Sequence, residues 1–303
     1  MNKNINTLSQ GANTTKETSQ LRTLITSISR YKPALFGGII LGLLIFVAIF
    51  APLVSPFDPN LQFPTEARVA PLTYLAESDR FVLLGTDQVG RDQLSRIMYA
   101  SRVTLMVSFF AVIISCLLGT LVGLLAGYYR GWFDIIAMRW VDISLAFPFE
   151  LLALSIVAVT GPSLTIVIIV LSLRIWVVYA RVVRGSTLSI REKDYINGAK
   201  AVGAGELRIL ARYVLPNVLT PVLVVSTLYI GRMILIESSL SFLGIGVPAT
   251  TPTWGGILGD GRAYIDTAWW IAFFPGLAIM ITVLSVNLLG DWLRDYFDPK
   301  IDI

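Results

Sequence analysis

Six charged side chains stand inside runs that are otherwise apolar: Arg139, Asp142, Glu150, Arg174, Arg232 and Glu237. A charge at membrane depth is expensive and usually faces a cavity or a partner. Acids and bases set together at such depth suit a zwitterionic solute, such as a peptide with free amino and carboxyl ends. They equally suit interhelical ion pairs and interface anchors. Glu150, Arg174 and Glu237 are the candidates for a translocation pathway. Arg139 and Asp142, three residues apart, read more simply as a pair on one turn. Asp142 and Glu150, eight apart, would share a helix face. Arg232 reads as an anchor.

Other chemistry is excluded. The chain has no histidine, which removes every Ser-His, Cys-His and His-metal arrangement. Its one cysteine, Cys116, lies in an apolar run and reads as a packing residue. No disulfide within the chain and no metal site is expected. No G-x-x-x-x-G-K-[ST] stretch cradles a phosphate, so any ATP would be hydrolysed by another chain.

The elements that must position these charges are membrane helices. Of the 303 residues 55% are apolar, mean hydropathy is +0.71, and 15% are charged, against roughly 25% in an average soluble protein. Apolar runs of about 20 residues recur, the length of a span. They predict six spans: residues 33–54, 103–128, the later part of 135–160, 163–180, 218–236 and 268–290. Gly119, Gly123 and Gly127 repeat every four residues and allow close helix packing. Trp269 and Trp270 read as an interfacial belt.

Lysine and arginine set the orientation. Residues 1–32 hold five of them against one acid, and the polar stretch 181–212 holds seven against three. The loop 55–102 holds five against six, and the loop 237–267 one against three. This places the N-terminal tail (1–32) and the segment 181–216 in the cytoplasm; six spans put the C-terminal tail (291–303) on the same side, against its acidic character, because acids contribute little to this rule. The two long loops then face outward.

The segment 194–216, DYINGAKAVGAGELRILARYVLP, is a polar island between apolar flanks. Tyr195, Ile196, Ala199, Val202 and Gly203 fall on one helix face. Asp194 stands at an N-cap position, and Gly203 and Gly205 stand where a helix stops. Residues 206–213 can form a second short helix before Pro216. In the outward loop, Gly85, Asp87, Gly90, Arg91 and Asp92 belong to a stretch, GTDQVGRD, that alternates turn formers with charges. It reads as an outward-facing turn. Two roles stay open for it: receiving another protein or plugging the outer mouth, or a structural turn held by an Asp87–Arg91 bond.

These stretches resemble the signatures of a known family. Ala199, Gly203 and Leu215-Pro216 match, in spacing, the cytoplasmic-loop motif of bacterial ABC importer permeases. GTDQVGRD (85–92), SFLGIG (241–246), PTWG (252–255) and GDWLRDYFDP (290–299) resemble the dipeptide, oligopeptide and nickel permeases, nearest to the second, C-type, subunit. Asn197, Gly198 and Tyr213 depart from the family motif, and Gly198 costs a helix about 1 kcal/mol relative to alanine.

The resemblance implies an all-α membrane protein with the type I ABC importer permease fold. Its residues 103–290 would form the permease core, and a cytoplasmic coupling helix would dock on a separate ATPase through Tyr195, Ala199, Gly203, Leu207 and Pro216. It implies a non-enzymatic permease subunit in the bacterial inner membrane, giving half of a pathway for peptides by alternating access. Glutathione or a nickel chelate are alternative solutes, and an ion-coupled secondary transporter is a rival reading. The implied partners are a homologous second permease, two ATPase subunits carrying ATP and magnesium, an extracytoplasmic solute-binding protein and membrane lipid. Nucleic acid is not expected, and no cofactor is expected in this chain.

Overall fold

The structure, a computed structural model, describes residues 31–297. The expected N-terminal tail lies almost wholly outside them, as does the end of the C-terminal one. Helix α1 is Lys32–Val54. A two-stranded antiparallel hairpin follows, β1 (Thr73–Leu75) and β2 (Arg80–Val82). Then come α2 (Gln93–Tyr129), α3 (Gly131–Ala146), α4 (Phe149–Thr160), α5 (Leu164–Arg191) and the short α6 (Asp194–Ala201). Helix α7 (Glu206–Ile209) runs through a π turn, Leu210–Val214, into α8 (Leu215–Phe242). Helices α9 (Trp254–Gly261) and α10 (Trp270–Phe297) complete the described chain.

Among the described residues five helical runs are long and apolar enough to cross a membrane: α1, α2, α5, the run 206–242 and α10. The pair α3/α4, bent by 87°, supplies a sixth crossing if counted as one span. Contacts fix two ends. Arg130, just past α2, pairs with Glu192, just past α5, so these helices run parallel. At the far end Gln93 donates to the Ile271 carbonyl at 3.0 Å, and Trp270 donates to the Thr86 carbonyl at 3.0 Å. The island helix α6 thus sits at one end and the hairpin at the other.

The core forms where α2, α5 and α8 meet, around Val107, Val170, Leu171, Tyr179, Val183 and Val218. The glycine stripe makes this packing possible. A Cβ at Gly119, Gly123 or Gly127 would run into Tyr179, Ala180 and Thr187 of α5. The stripe seals two helices of one chain.

Several expectations are corrected. The second span does not begin at residue 103: α2 starts at Gln93, because the Asp92 carboxylate caps it by accepting from the Ser95 amide at 2.7 Å. The third span is not a straight helix in the later part of its run. Pro148 forces Phe147 into an extended conformation, and the chain turns there. Asp142 and Glu150 therefore lie on different helices and share no face. Asp142 pairs with Arg181 at 2.7 Å instead of Arg139. Helix α5 runs to Arg191, so the first part of the segment 181–216 is a helix end. Helix α10 runs to Phe297, so residues 291–297 are helix and not tail. The loop 237–267 opens with the end of α8 and contains α9. The fold also carries the one small hairpin that an all-α expectation omits.

Candidate functional site

Two regions hold the candidate residues: the polar end around α6, and the charges within the helices.

Helix α6 is capped at its start by Lys193, with Asp194 as its first residue and no side-chain cap. The expected N-cap shifts by one. Its stop is a Schellman motif: Gly203 has φ of +79°, its amide bonds the Lys200 carbonyl at 3.0 Å, and the Ala204 amide bonds the Ala199 carbonyl at 3.0 Å. Gly203 fits because only glycine adopts this conformation at no steric cost.

The expected docking face divides in two. Ile196 and Ala199 are buried against the chain's own core, alongside Ile209, Leu210 and Val214. Tyr195 (43% exposed), Val202 (86%) and Leu207 (80%) point outward, as do Gly203 and Pro216. Ala199 is thus an inner contact, not part of the outer face. Val202, which the sequence pattern put on the same face, is the most exposed member. The π turn lies just before Pro216, whose ring lacks an N–H and crowds the carbonyl four residues back. The three outward apolar side chains sit among Lys193, Lys200, Arg208 and Arg212, all half-buried or exposed. That arrangement is an amphiphilic knob with a rigid, self-packed back.

Ion pairs brace this end. Arg184 bonds both Asp134 oxygens, the second at 2.6 Å, and Arg191 donates to the Tyr128 carbonyl. These bonds tie α5 to α2 and α3.

The intramembrane candidates are not brought together. Arg174 lies 5.6 Å from the Phe149 ring and lines a cavity of about 220 Å³ with Trp140, Phe147 and Trp176, at the α3/α4 break. Glu150 is exposed on the first turn of α4, and among the described residues no ion pair joins it to Arg174. Glu237 is fully buried, accepting from Ser241 at 2.8 Å. It faces the chain's own packing.

At the hairpin end the GTDQVGRD turn is a hub. Asp87, 1% exposed, accepts from the Val89 and Arg91 amides at 2.9 Å each, from Arg91 Nε at 2.6 Å and from Arg96 at 3.1 Å. Asp260 of α9 approaches Arg96 and Arg91 at 3.7 and 3.9 Å. Gly85 and Gly90 have φ of +81° and +79°, and a Cβ on Gly90 would strike the Phe63 carbonyl. Burial pushes the Asp92 carboxyl up from its ordinary 3.8, against the opposing hydrogen bonds from Ser95. Of the two roles left open for the turn, this geometry is that of a structural one: the polar contacts of Asp87 and Asp92 are internal. Arg96 and Asp260 were not signalled by any motif. Trp270 is no belt residue: it is 6% exposed and its indole holds the turn. Trp269, 51% exposed, keeps that reading.

Residues 119–303 match the family described as binding-protein-dependent transport system inner membrane component. Residues 19–72 match the N-terminal membrane domain of oligopeptide transport permease C. The chain belongs to this permease family. The di/tripeptide transport system permease protein DppC of Pseudomonas aeruginosa is 40% identical over 283 residues, covering 93% of each chain. The dipeptide transport system permease protein DppC of Alkalihalophilus pseudofirmus is 41% identical over 283 residues, 93% of this chain and 91% of that one. The glutathione transport system permease protein GsiD of Pectobacterium atrosepticum is 39% identical over 272 residues, 90% and 88% of the two chains. A crystal structure of an amino acid ABC transporter with histidines has a TM-score of 0.47 at 17% identity, over 64% of this chain and 88% of that one. The chain is therefore a multi-pass inner-membrane transport permease and not an enzyme. Its described residues are mostly helical, with five helical runs long and apolar enough to cross a membrane and a sixth crossing if α3/α4 is counted as one.

Proposed function

We propose that this chain is half of a peptide-conducting gate, moved by two separate ATPase subunits that grip the α6 end from the cytoplasm. A homologous permease completes the pathway, and an extracytoplasmic binding protein delivers the solute. The relatives named for dipeptide and di/tripeptide transport favour peptides. Those named for glutathione, itself a small peptide, keep it as the alternative.

One observation carries the reading: Tyr195, Val202 and Leu207 stand outward on a helix end whose other face is packed into the core. Exposed apolar side chains rimmed by charge mark a protein contact. The excess of lysine and arginine at this end, seven against three acids over residues 181–212, supports its cytoplasmic placement. ATP and magnesium then belong to the partners. Arg174, on α5 beside the α3/α4 break, and Glu150, on the first turn of α4, are the pathway candidates; a broken helix near mid-membrane is where transporters of several kinds place solute sites. Glu237 has no open face in this chain and is the weakest of the three.

The test is uptake of a labelled dipeptide into proteoliposomes. The complex purified with the products of its genomic neighbours should import only with ATP and binding protein. The chain alone should move nothing. Uptake by the chain alone, driven by an ion gradient, would replace this reading with a secondary carrier.

A further inference from the structure

Helices α1, α2, α8 and α10 line an apolar groove of about 670 Å³ that is open at the surface of this chain. Ile45 and Ile49 of α1, Leu105 and Phe109 of α2, and Ile230 of α8 line it. One charge stands in the lining, Arg102 of α2, which is exposed. Among the described residues Arg102 takes part in no ion pair and lies over no aromatic ring.

The position of Arg102 along the groove is informative. Helix α2 enters at Gln93 at the hairpin end, so Arg102 is the lining residue of α2 nearest that end. Helix α1 runs the other way, and its lining residue nearest the hairpin end is Ile49. The cation therefore marks the mouth, and the apolar walls continue inward. At 1.5 Å per residue, α2 is about 55 Å long, against about 30 Å of hydrocarbon. With the excess shared between its ends, hydrocarbon begins about 12 Å from Gln93, and Arg102 sits at about 14 Å. On that placement Arg102 falls at the boundary between tails and headgroups. From Ile49 to Leu41 the groove runs about 12 Å down α1, close to the depth of one leaflet.

We infer that this groove holds a phospholipid of the leaflet on the hairpin side, one acyl chain along α1 and α2 and an anionic headgroup on Arg102. The shape and charge match the amphiphile: an apolar slot one leaflet deep, closed at its interfacial end by an unpaired guanidinium, which bonds a phosphate in a bidentate way. A headgroup of net negative charge is favoured over a zwitterionic one, in which the ammonium opposes the guanidinium. The inference is independent of what the permease carries.

The test uses the whole importer complex in nanodiscs of equal phosphatidylglycerol and phosphatidylcholine, released for native mass spectrometry. Wild-type complex should retain phosphatidylglycerol in preference to phosphatidylcholine by about fivefold, the scale of one basic residue near a membrane surface. Arg102→Gln should reduce that preference to parity, and Arg102→Lys should keep part of it. Ile49→Trp, a change at a site 62% exposed, should narrow the groove and lower retention of both lipids. Equal retention of the two lipids by wild type would overturn the inference. So would an Arg102→Gln complex that keeps its lipid but sheds the second permease, which would make the groove a protein interface.

Discussion

Asp87 and Arg96 face each other at 3.1 Å with side chains 1% and 3% exposed, joining the turn that precedes α2 to the first turns of that helix. Asp260 reaches the same guanidinium from α9 at 3.7 Å. The turn, the start of α2 and, from far along the sequence, α9 are thus pinned by charge at the hairpin end, while the α6 end is braced by Arg184, Asp134 and Arg130. The permease is stiff at both ends and broken in between, at Pro148.

Breaking the first of these pairs should cost more than its geometry contributes. Asp87→Asn leaves the buried Arg96 with only Asp260, at 3.7 Å, to face it, a loss of up to about 3–5 kcal/mol. The melting midpoint of the purified complex in detergent should fall clearly. The double variant Asp87→Asn/Arg96→Met should recover part of that fall. Equal melting of wild type and Asp87→Asn would show that the pair is not structural.

The α2–α5 seam should reject any side chain at its glycines. In Gly123→Leu the new Cβ meets the Ala180 carbonyl and the Val183 side chain, so the helices must separate. Overpacking of this kind costs about 1–3 kcal/mol, and more where backbone is struck. Less protein should reach the membrane, measured by quantitative blotting. Gly42→Leu, with nothing within 4 Å of its Cβ, is the control that should accumulate normally.

The hairpin should loosen in acid. Burial works against ionisation of Glu66, but hydrogen bonds from Ser78 and Arg80 outweigh it and hold the carboxyl below its ordinary 4.5. A depressed pKa adds stability that is present above the unfolded value and lost as pH falls through the folded one. Amide hydrogen exchange at residues 73–82 should therefore show declining protection, after correction for intrinsic rates, as pH falls below 4.5. Glu66→Gln should flatten that decline. Asp92, raised by burial, contributes in the opposite sense, so a decline unchanged in Glu66→Gln would remove Glu66 as its cause.

Much of this was legible from residue patterns, for particular reasons. Long apolar runs identify spans because lipid leaves the backbone no other partner than its own helix. The glycine stripe and Gly203 are read correctly because glycine at such positions has few physical explanations. Helix ends were read less well. A run of hydropathy ends where lipid ends, whereas α2, α5 and α10 continue as helices beyond it, capped by Asp92 or carried on by polar residues such as Arg191 and Asp295. Side-chain partners were the least legible. Arg139 neighbours Asp142 in sequence, but Arg181 meets it in space, and Glu237 shows no sign in sequence that Ser241 and its neighbours enclose it. Of the α6 face, periodicity gave the members but not the split. Ile196 and Ala199 both turn toward the core despite their different sizes, while Val202, at the helix end, stands clear of it.

Leu207 should be the residue through which motor and gate communicate. Leu207→Asp places a charge in an apolar contact, while its 80% exposure leaves the fold of this chain untouched. In proteoliposomes, ATP hydrolysis should lose its stimulation by the loaded binding protein, and uptake should drop at least tenfold, a coupling loss of about 1.4 kcal/mol or more. Gly203 is a poorer probe, since its positive φ would strain any replacement. Full stimulation in Leu207→Asp would exclude this contact from coupling.

The account rests most directly on which side of the membrane α6 lies and what covers it. The measurement is labelling of Val202→Cys, in a Cys116→Ala background, with a membrane-impermeant maleimide. Inverted vesicles stripped of ATPase subunits should label fully, and labelling should fall when the ATPase is added back. Labelling of Val202→Cys in intact cells from outside, or labelling of inverted vesicles that the ATPase does not diminish, would contradict the account.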